Sequence, residues 1–308
     1  MTLKEKCMRK VLILMSSYNG EKCIERQIKS IIEQKDVDIN LLIRDDGSTD
    51  DTVKILDNIA QMYGNKVQYY IGKNIGWKRS FMDLLFAAGE FDYYGFADQD
   101  DVWFKDKIIT LIKLMETDGS TGIKLAQCAS LAVDSNFQVL EEQEYKEIPK
   151  SFKSIISMDF FQGCSMLWNK AAMKKIQKYI PGNINLAHDF WVGIVCYYFG
   201  KVYFTKERKV YHIRYYNNAS TDGSVFKGRI KKLKSFILNQ DVYSNPANDL
   251  LLGYKNELPL EFKEFLKDLI NYKSSIKSKY RLVIDKEFRR KDILPSIFFK
   301  MMILINRF

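Results

Sequence analysis

Short apolar runs and segments with helical spacing alternate through the first hundred residues of the chain. The apolar run at residues 11–15 predicts a strand buried on both faces, and similar runs at 39–43, 67–71 and 93–97 predict three further strands. Between them, apolar residues spaced three or four apart predict helices at residues 23–33, 52–62 and 80–88. Because strands and helices alternate, we predict an α/β protein with a parallel, doubly wound sheet.

The pattern changes in the rest of the chain. We predict a helix at 106–115, strand pieces at 124–133, a polar loop at 141–148, a helix at 191–199 and a strand at 202–205. From residue 226 the spacing becomes helical, with one amphipathic segment at 226–237 and a longer one at 262–276. We therefore expect a helical C-terminal extension.

Charge divides the chain in the same place. The formal net charge is +10 over 308 residues. Residues 226–308 hold 18 Lys or Arg and 9 Asp or Glu, whereas residues 1–225 hold 30 and 29. The basic excess therefore belongs to the last quarter, which indicates two regions with different roles.

Composition excludes several classes of protein. Hydrophobic residues make up 46% of the chain, which is too rich for disorder. Five scattered cysteines without a C-x-x-C pair, together with two histidines, argue against a structural zinc site and indicate a reducing compartment. The apolar run near the N-terminus is too short for a signal peptide, and no segment is long enough to span a membrane. These features predict a cytoplasmic protein.

Three polar clusters follow predicted strands. They are residues 16–19 (SSYN), 45–48 (DDGS) and 98–101 (DQDD). Ligands of open α/β sheets bind beyond the carboxyl ends of the strands, so these clusters are candidates for a site. The alternative is that they only form turns and helix caps.

The third cluster suits a metal. Asp98 and Asp100 offer hard oxygen ligands for Mn²⁺ or Mg²⁺, and a cation would relieve their mutual repulsion. Neither a G-x-G-x-x-G after the first strand nor a P-loop occurs, so diphosphate would need the metal and cations such as Lys78 and Arg79. Those two cations could equally form a solvated helix start.

The motifs together resemble family-2 glycosyltransferases of the GT-A fold. The matching segments run in order as VLILMSSYNGEKCIERQIKSI, RDDGSTDDT, KNIGWKRSF, FADQDDVW, FFQGCSMLWNK and LAHDFWVGIVCYYFGKVYF, and they cover residues 10–220. The segment HDFW and the pair Asn217-Asn218 are most similar to bacterial rhamnosyltransferase-type members of surface polysaccharide synthesis. The resemblance implies a Rossmann-like, mostly parallel sheet and a hexosyltransferase activity that inverts the anomeric carbon.

The resemblance also implies residue roles. The nucleotide side comprises Ser16, Tyr18 and Asp46, with Asp45 and Glu21 close by. Asp100 corresponds to a direct metal ligand, and Asp98 to a ligand nearer the ribose or the sugar. Asp189 corresponds to the base that deprotonates the acceptor hydroxyl; from the sequence alone, it could instead cap the helix that follows.

One segment departs from the family pattern. After the last strand the family usually has Y-R-x-H-x-N-N, whose His can bind metal or phosphate. Aligned on Asn217-Asn218, that position holds Tyr215, and His212 and Arg214 are displaced. We expect Arg214 to act as a cation that faces the diphosphate, because guanidinium suits phosphate oxygens.

These inferences define the expected protein. Residues 1–225 form a catalytic domain, with the nucleotide-sugar site at about 10–115 and the acceptor side at about 120–225, and residues 226–308 form a basic amphipathic region. The donor is dTDP-rhamnose, with a UDP-hexose as the alternative, and the acceptor is a glycan or a polyprenyl-linked glycan. The basic region favours an anionic membrane surface on the inner face of the cell membrane; the alternatives are a solvated helical extension or an oligomer contact. A non-catalytic nucleic-acid-binding protein is disfavoured, because acidic clusters at the strand ends would repel phosphate.

Overall fold

A computed structural model describes residues 8–141, 148–149, 151–157, 160–183, 185–214, 244–290 and 292–307. Its strands, β1 to β9 in chain order, are Arg9–Ser17, Val37–Asp45, Val67–Ile71, Tyr93–Ala97, Val102–Trp103, Lys124–Val133, Val139–Glu141, Met166–Asn169 and Lys201–Ile213. Its helices, α1 to α11, are Ile24–Ile32, Thr52–Tyr63, Trp77–Ala87, Lys107–Glu116, Phe152–Ile155, Lys170–Ile176, His188–Phe199, Ser244–Tyr254, Leu260–Asn271, Ile276–Ile284 and Ile293–Leu304.

Four parallel strands form the first half of the sheet, in the order β3-β2-β1-β4. Ser17 pairs with Asp45 at the end of β1 and β2, and Met15 pairs with Ala97 at the end of β4. The carboxyl ends of these three strands therefore meet at one edge, which we call the carboxyl edge. The predicted α/β fold with a mostly parallel sheet is confirmed here.

The second half of the sheet is mixed, which the prediction of a parallel sheet did not include. The order continues β8-β6-β9-β5, with β7 beside β6. Strand β8 runs antiparallel to β4 and to β6, whereas β9 runs parallel to β6. Strand β5 runs antiparallel to β9, and Val102 pairs with Tyr211. This last pairing places the end of β9 beside the segment that follows β4.

The helical patterns match the buried faces. Helix α1 buries Ile24, Ile28 and Ile31, and the central strands β1 and β4 are buried along their apolar residues. Two helices begin three residues earlier than predicted. Helix α3 begins at Trp77 rather than residue 80, directly after Gly76, whose positive φ of 82° ends the preceding loop. Helix α7 begins at His188 rather than residue 191, so Asp189 lies in its first turn.

The chain forms two compact units. The first contains residues 1–148, 161–178 and 187–214, and the second contains residues 149–160, 179–186 and 215–308. Helices α8 to α11 belong to the second unit, which confirms the helical C-terminal extension. The predicted pattern at 262–276 is interrupted, because α9 ends at Asn271 and α10 begins at Ile276. The predicted helix at 226–237, the residues around the boundary at 225 and most of the predicted loop at 141–148 lie outside the described residues.

Candidate active site

The carboxyl edge brings the three polar clusters together. Strand β1 leads into residues 16–19, β2 into 45–48 and β4 into 98–101, and the parallel pairing aligns these ends. Ligands of open α/β sheets bind beyond the carboxyl ends of the strands, so this edge is the candidate site.

Asp45 organises the turn after β2. It is fully buried and accepts hydrogen bonds from Ser17 Oγ (3.0 Å), Ser48 N–H (2.8 Å), Ser48 Oγ (2.6 Å) and Gly47 N–H (3.2 Å). Gly47 takes a φ of 82°, which glycine adopts without strain. A buried carboxylate with this many donors holds the turn shape. Asp45 therefore shapes the rim of the predicted nucleotide site.

Asp46 is also buried and is engaged by the chain itself. It forms an ion pair with Arg44 and accepts hydrogen bonds from Ile75 N–H (3.0 Å) and Gly76 N–H (2.8 Å). Both oxygens thus fix the loop before α3. The resemblance implies that Asp46 contacts the nucleotide base. Its two carboxylate oxygens already accept hydrogen bonds from the loop, so a bound nucleotide would share them with the loop.

Arg44 is a site component that the sequence analysis missed. The side chain is buried and donates to Asp83 Oδ2 (3.1 Å), Ser80 Oγ (3.1 Å) and the carbonyl oxygen of Lys73 (3.0 Å). Ser80 Oγ lies 2.6 Å from Ser16 Oγ, so the network reaches a predicted nucleotide contact. An arginine directly before DDGS was the available signal.

Tyr18 is tied to the acidic cluster through its backbone. Its N–H donates to Gln99 Oε1 (2.9 Å), and Gln99 Nε2 donates back to the Tyr18 carbonyl oxygen (3.0 Å). A Cβ on Gly20 would lie only 2.5 Å from Gln99 Oε1, so glycine permits this approach. The Tyr18 ring stays exposed. Glu21 Oε2 accepts a hydrogen bond from Asp51 N–H (3.2 Å) at the start of α2.

Asp98, Asp100 and Asp101 form what we call the acid cluster, directly after β4. Burial raises the pKa of Asp98 to about 8, with help from the charges of Asp101 and Asp100. Burial and Asp101 raise the pKa of Asp100 to about 6. Crowded carboxylates of this kind disfavour ionisation unless a cation shares the site.

His212 lies against the acid cluster, a contact that the alignment on Asn217-Asn218 missed. Its Nδ1 is 2.8 Å from Asp101 Oδ1, and this hydrogen bond raises the pKa of the imidazole. Asp101 is fully buried, and its Oδ2 has no hydrogen-bond partner within the part of the chain that the structure describes. The pairing of β5 with β9 creates this contact. Tyr215, which the alignment put in the place of the family's His, lies outside the described residues.

Two further buried residues, Cys164 and Lys107, lie near the acid cluster. The Cys164 Sγ, a carboxylate oxygen of Asp101 and a ring nitrogen of His212 lie within 4.8 Å of one another. Burial raises the pKa of the Cys164 thiol well above its usual value, so the sulfur stays protonated. Lys107 Nζ donates to the Cys164 carbonyl oxygen (2.6 Å) and lies 3.1 Å from the centre of the Trp103 ring. Burial lowers the pKa of Lys107 to about 8.

Asp189 lies in the first turn of α7, where Ala187 is the N-cap residue. Its Oδ1 accepts from Phe190 N–H (2.7 Å), and its Oδ2 accepts from Gly163 N–H (3.3 Å). The charge of Asp189 contributes to the raised pKa of Asp98. The charge of Asp189 therefore acts on Asp98, and its role as the base stays a prediction.

His188, next to Asp189, is buried among aromatic rings. It stacks on Phe81 with a centroid distance of 3.9 Å and meets Phe96 edge to face at 4.4 Å and Trp77 at 5.8 Å. Burial lowers its pKa to about 3, so the ring is neutral. Neither ring nitrogen has a hydrogen-bond partner among the described residues. This ring anchors the start of α7 rather than carrying charge.

The predicted phosphate-binding cations lie on two elements. Lys78 and Arg79 occupy the first turn of α3, where Arg79 is exposed and Lys78 Nζ lies 5.5 Å from the centre of the Trp77 ring. Arg214 follows β9, two residues after His212, and its N–H donates to the Val133 carbonyl oxygen (2.8 Å). Their roles toward a diphosphate stay predictions.

The sheet order and the acidic carboxyl edge are those expected of a glycosyltransferase of the GT-A fold. Residues 12–176, more than half of the chain, match the model of Glycosyl transferase family 2, and the chain belongs to this family. The dTDP-rhamnosyl transferase RfbG of Shigella flexneri is 31% identical over 234 residues, which are 71% of this chain and 78% of that protein.

Two solved structures have the same fold. TarS 1-349 of S. aureus, in complex with UDP-GlcNAc, superposes with a TM-score of 0.59 at 17% identity over 90% of this chain and 77% of that chain. The mannosyltransferase PcManGT of Pyrobaculum calidifontis, in complex with GDP-Man and Mn²⁺, gives a TM-score of 0.54 at 12% identity over 98% of this chain and 82% of that chain. The predicted family and fold are confirmed.

Proposed function

We propose that the chain is an inverting, metal-dependent glycosyltransferase that moves rhamnose from dTDP-rhamnose to an acceptor in surface polysaccharide synthesis. The observation that carries the proposal is that Asp98 and Asp100 directly follow β4 at the carboxyl edge, with the charge of Asp189 near enough to raise the pKa of Asp98. The named relative RfbG, a dTDP-rhamnosyl transferase, supports the choice of donor. The UDP-hexose alternative differs only in the donor.

The residues of the acid cluster suit a divalent cation. They offer hard carboxylate oxygens. The buried Asp101 Oδ2 has no hydrogen-bond partner among the described residues, and a bound cation would stabilise its negative charge. Asp98 and Asp100 would hold Mn²⁺ or Mg²⁺, with His212 beside them. The bound ion would supply positive charge to the departing diphosphate.

Asp189 would act as the base. Inverting transfer by single displacement needs one carboxylate that receives the proton of the acceptor hydroxyl as the oxygen attacks the anomeric carbon. The hydrogen bonds from Phe190 N–H and Gly163 N–H orient the carboxylate. Buried, neutral His188 adds no competing proton donor at this position.

We also propose the division of roles along the chain. Residues 1–225 would carry catalysis, with the donor side at about 10–115 and the acceptor side at about 120–225. The C-terminal region would bring the enzyme to the inner face of the cell membrane, where a polyprenyl-linked acceptor resides. No helix in the described ranges is long and apolar enough to cross a bilayer.

The proposal is tested by measuring sugar transfer and donor binding in the variants Asp189→Asn and Asp100→Ala. Asp189→Asn should abolish transfer while donor binding persists, and Asp100→Ala should weaken donor binding and remove the response to Mn²⁺. Asp36→Asn is a matched control, because Asp36 is exposed before β2, at the opposite end of the strand from the site. Normal turnover by Asp189→Asn would refute the assigned base.

Thermal shifts with a donor panel identify the sugar nucleotide. The panel contains dTDP-rhamnose, UDP-glucose, UDP-galactose and UDP-N-acetylhexosamines, each with Mn²⁺. We expect the largest shift with dTDP-rhamnose; a larger shift with a UDP-hexose would establish the alternative donor.

A further inference from the structure

Helix α11 exposes a broad apolar surface. It buries Phe299, Met302 and Ile303 on one side. Its opposite side exposes large apolar residues, among them Ile293 at 78% and Leu294 at 79%. At 100° per residue the exposed members span an arc of about 140°. They are Ile293, Leu294, Ile297, Phe298, Met301 and Leu304, with Ile305 directly after the helix.

Helix α10 adds a second apolar stripe. Ile276, Tyr280 and Ile284 are exposed at spacings of four residues, which places them on one side of the helix. Lys279 Nζ donates to the Leu304 carbonyl oxygen (3.3 Å), and Lys300 Nζ donates to the Asp285 carbonyl oxygen (2.7 Å). These two bonds join the helices side by side. We call the exposed apolar residues of α10 and α11 the apolar face.

Basic residues accompany the apolar face. Residues 276–307 hold nine Lys or Arg and three Asp or Glu. Lys277 and Arg281 are exposed on α10, one position after Ile276 and Tyr280. Two of the three acids are matched inside the unit, because Asp285 and Glu287 lie 3.0 Å and 3.5 Å from Lys153 Nζ. Arg281 Nη1 lies 3.6 Å from Asp268 Oδ2, and with this pair counted residues 276–307 still keep an excess of positive charge.

We propose that the apolar face docks in the surface of an anionic lipid leaflet. An apolar face of this size on a soluble unit indicates a binding surface, and apolar residues flanked by Lys and Arg suit the boundary between acyl chains and anionic headgroups. A helix of 12 residues is about 18 Å long, enough to lie in that boundary but not to cross it. The inference rests on the membrane role in the proposed function and deepens it by naming the residues of the docking surface.

The distribution of charge favours an anionic lipid surface over two other occupants, a second copy of the chain and the chain's own segment at 215–243. In a two-fold contact with a second copy, the basic residues of both copies would gather at one interface, which is unfavourable. The chain's own segment at 215–243 carries five Lys or Arg and two Asp, so it is also positive. An anionic lipid surface complements both the apolar and the basic residues.

Vesicle sedimentation with the full-length protein tests the proposal. The vesicles are phosphatidylcholine with or without a quarter of phosphatidylglycerol. We expect the protein to sediment with the anionic vesicles, and the variant Ile297→Glu/Met301→Glu to bind them at least tenfold more weakly. Met62→Glu is the matched control, since Met62 is exposed on α2 of the first unit, and it should bind like the wild type.

The outcomes separate the partners and the two proposals. Equal sedimentation of wild type and double variant, or no sedimentation at all, would overturn the docking surface. A concentration-dependent dimer that the double variant abolishes, without vesicle binding, would assign the apolar face to a second copy and also overturn it. Transfer to a water-soluble acceptor is measured in parallel. The double variant should transfer sugar to this acceptor as well as the wild type does. If the wild type itself transfers no sugar, the proposed function is wrong and the docking surface is unaffected.

Discussion

Replacing Gly163 by Ala tests how the start of α7 is held. A Cβ at this position would lie 2.8 Å from His188 Nε2 and 3.5 Å from Asp189 Cβ. The first distance is about 0.6 Å short of the 3.4 Å at which ordinary contact begins. His188 cannot yield easily, because it stacks on Phe81 at 3.9 Å and meets Phe96 at 4.4 Å. The backbone at Gly163 or the first turn of α7 must move instead.

Movement there displaces the proposed base. Gly163 N–H donates to Asp189 Oδ2 at 3.3 Å, so the substitution shifts the donor and the carboxylate together. A misplacement near 1 Å costs on the order of 100-fold in rate, and a shift of about half that size should lower kcat by roughly 10-fold to 100-fold. Overpacking should also lower the free energy of unfolding by about 1–3 kcal/mol. The KM for the donor should change by no more than about twofold, because the donor side is untouched.

Initial rates over a donor concentration series measure kcat and the donor KM, and chemical denaturation measures the free energy of unfolding. Gly89→Ala is the matched control, since a Cβ there meets nothing within 4 Å. In a double-mutant cycle, His188→Ala should recover part of the activity lost by Gly163→Ala, because the clash disappears. A folded Gly163→Ala enzyme with kcat within twofold of the wild type would refute the reasoning.

Three further outcomes follow from the carboxyl edge. The folded state holds the protons of Asp98 and Asp100 more tightly than the unfolded state, so the metal-free fold gains its full stability from them below the unfolded-state pKa near 4 and loses it as pH rises through about 6 and about 8. Urea titrations should therefore show a declining free energy of unfolding over that range. Saturating Mn²⁺ at pH 8 should reverse the decline. His212→Ala should lower the free energy of unfolding by about 1–3 kcal/mol, because it leaves a buried carboxylate without its partner; unchanged stability together with unchanged Mn²⁺ affinity would contradict its place beside the acid cluster. Arg44→Met should cost about 3–5 kcal/mol by stranding buried Asp46, and chemical denaturation against the exposed control Arg79→Met measures it.

Local pattern determined the first half of the fold. Strands β1 to β4 and helices α1 to α3 follow from apolar runs and helical spacing, because β1 and β4 are buried along their apolar residues and each helix buries one side. The site motifs lie at the strand ends, so their order in the sequence predicted the carboxyl edge. The assigned roles of the individual residues stay predictions.

Long-range pairing decided the rest. His212 and Asp101 are 111 residues apart, and only the antiparallel pairing of β5 with β9 brings them together. Gly163 and Asp189 meet across 26 residues through a turn and a helix start that have no shared periodicity.

The amino-acid sequence by itself determined the family, the parallel half of the sheet and the acidic edge, because these depend on local spacing and on ordered motifs. Only the tertiary structure decided the mixed second half of the sheet, the histidine beside the acid cluster and the side of α11 that remains exposed. Those features depend on which distant surfaces pack together, and the spacing of residues along one segment does not contain that information.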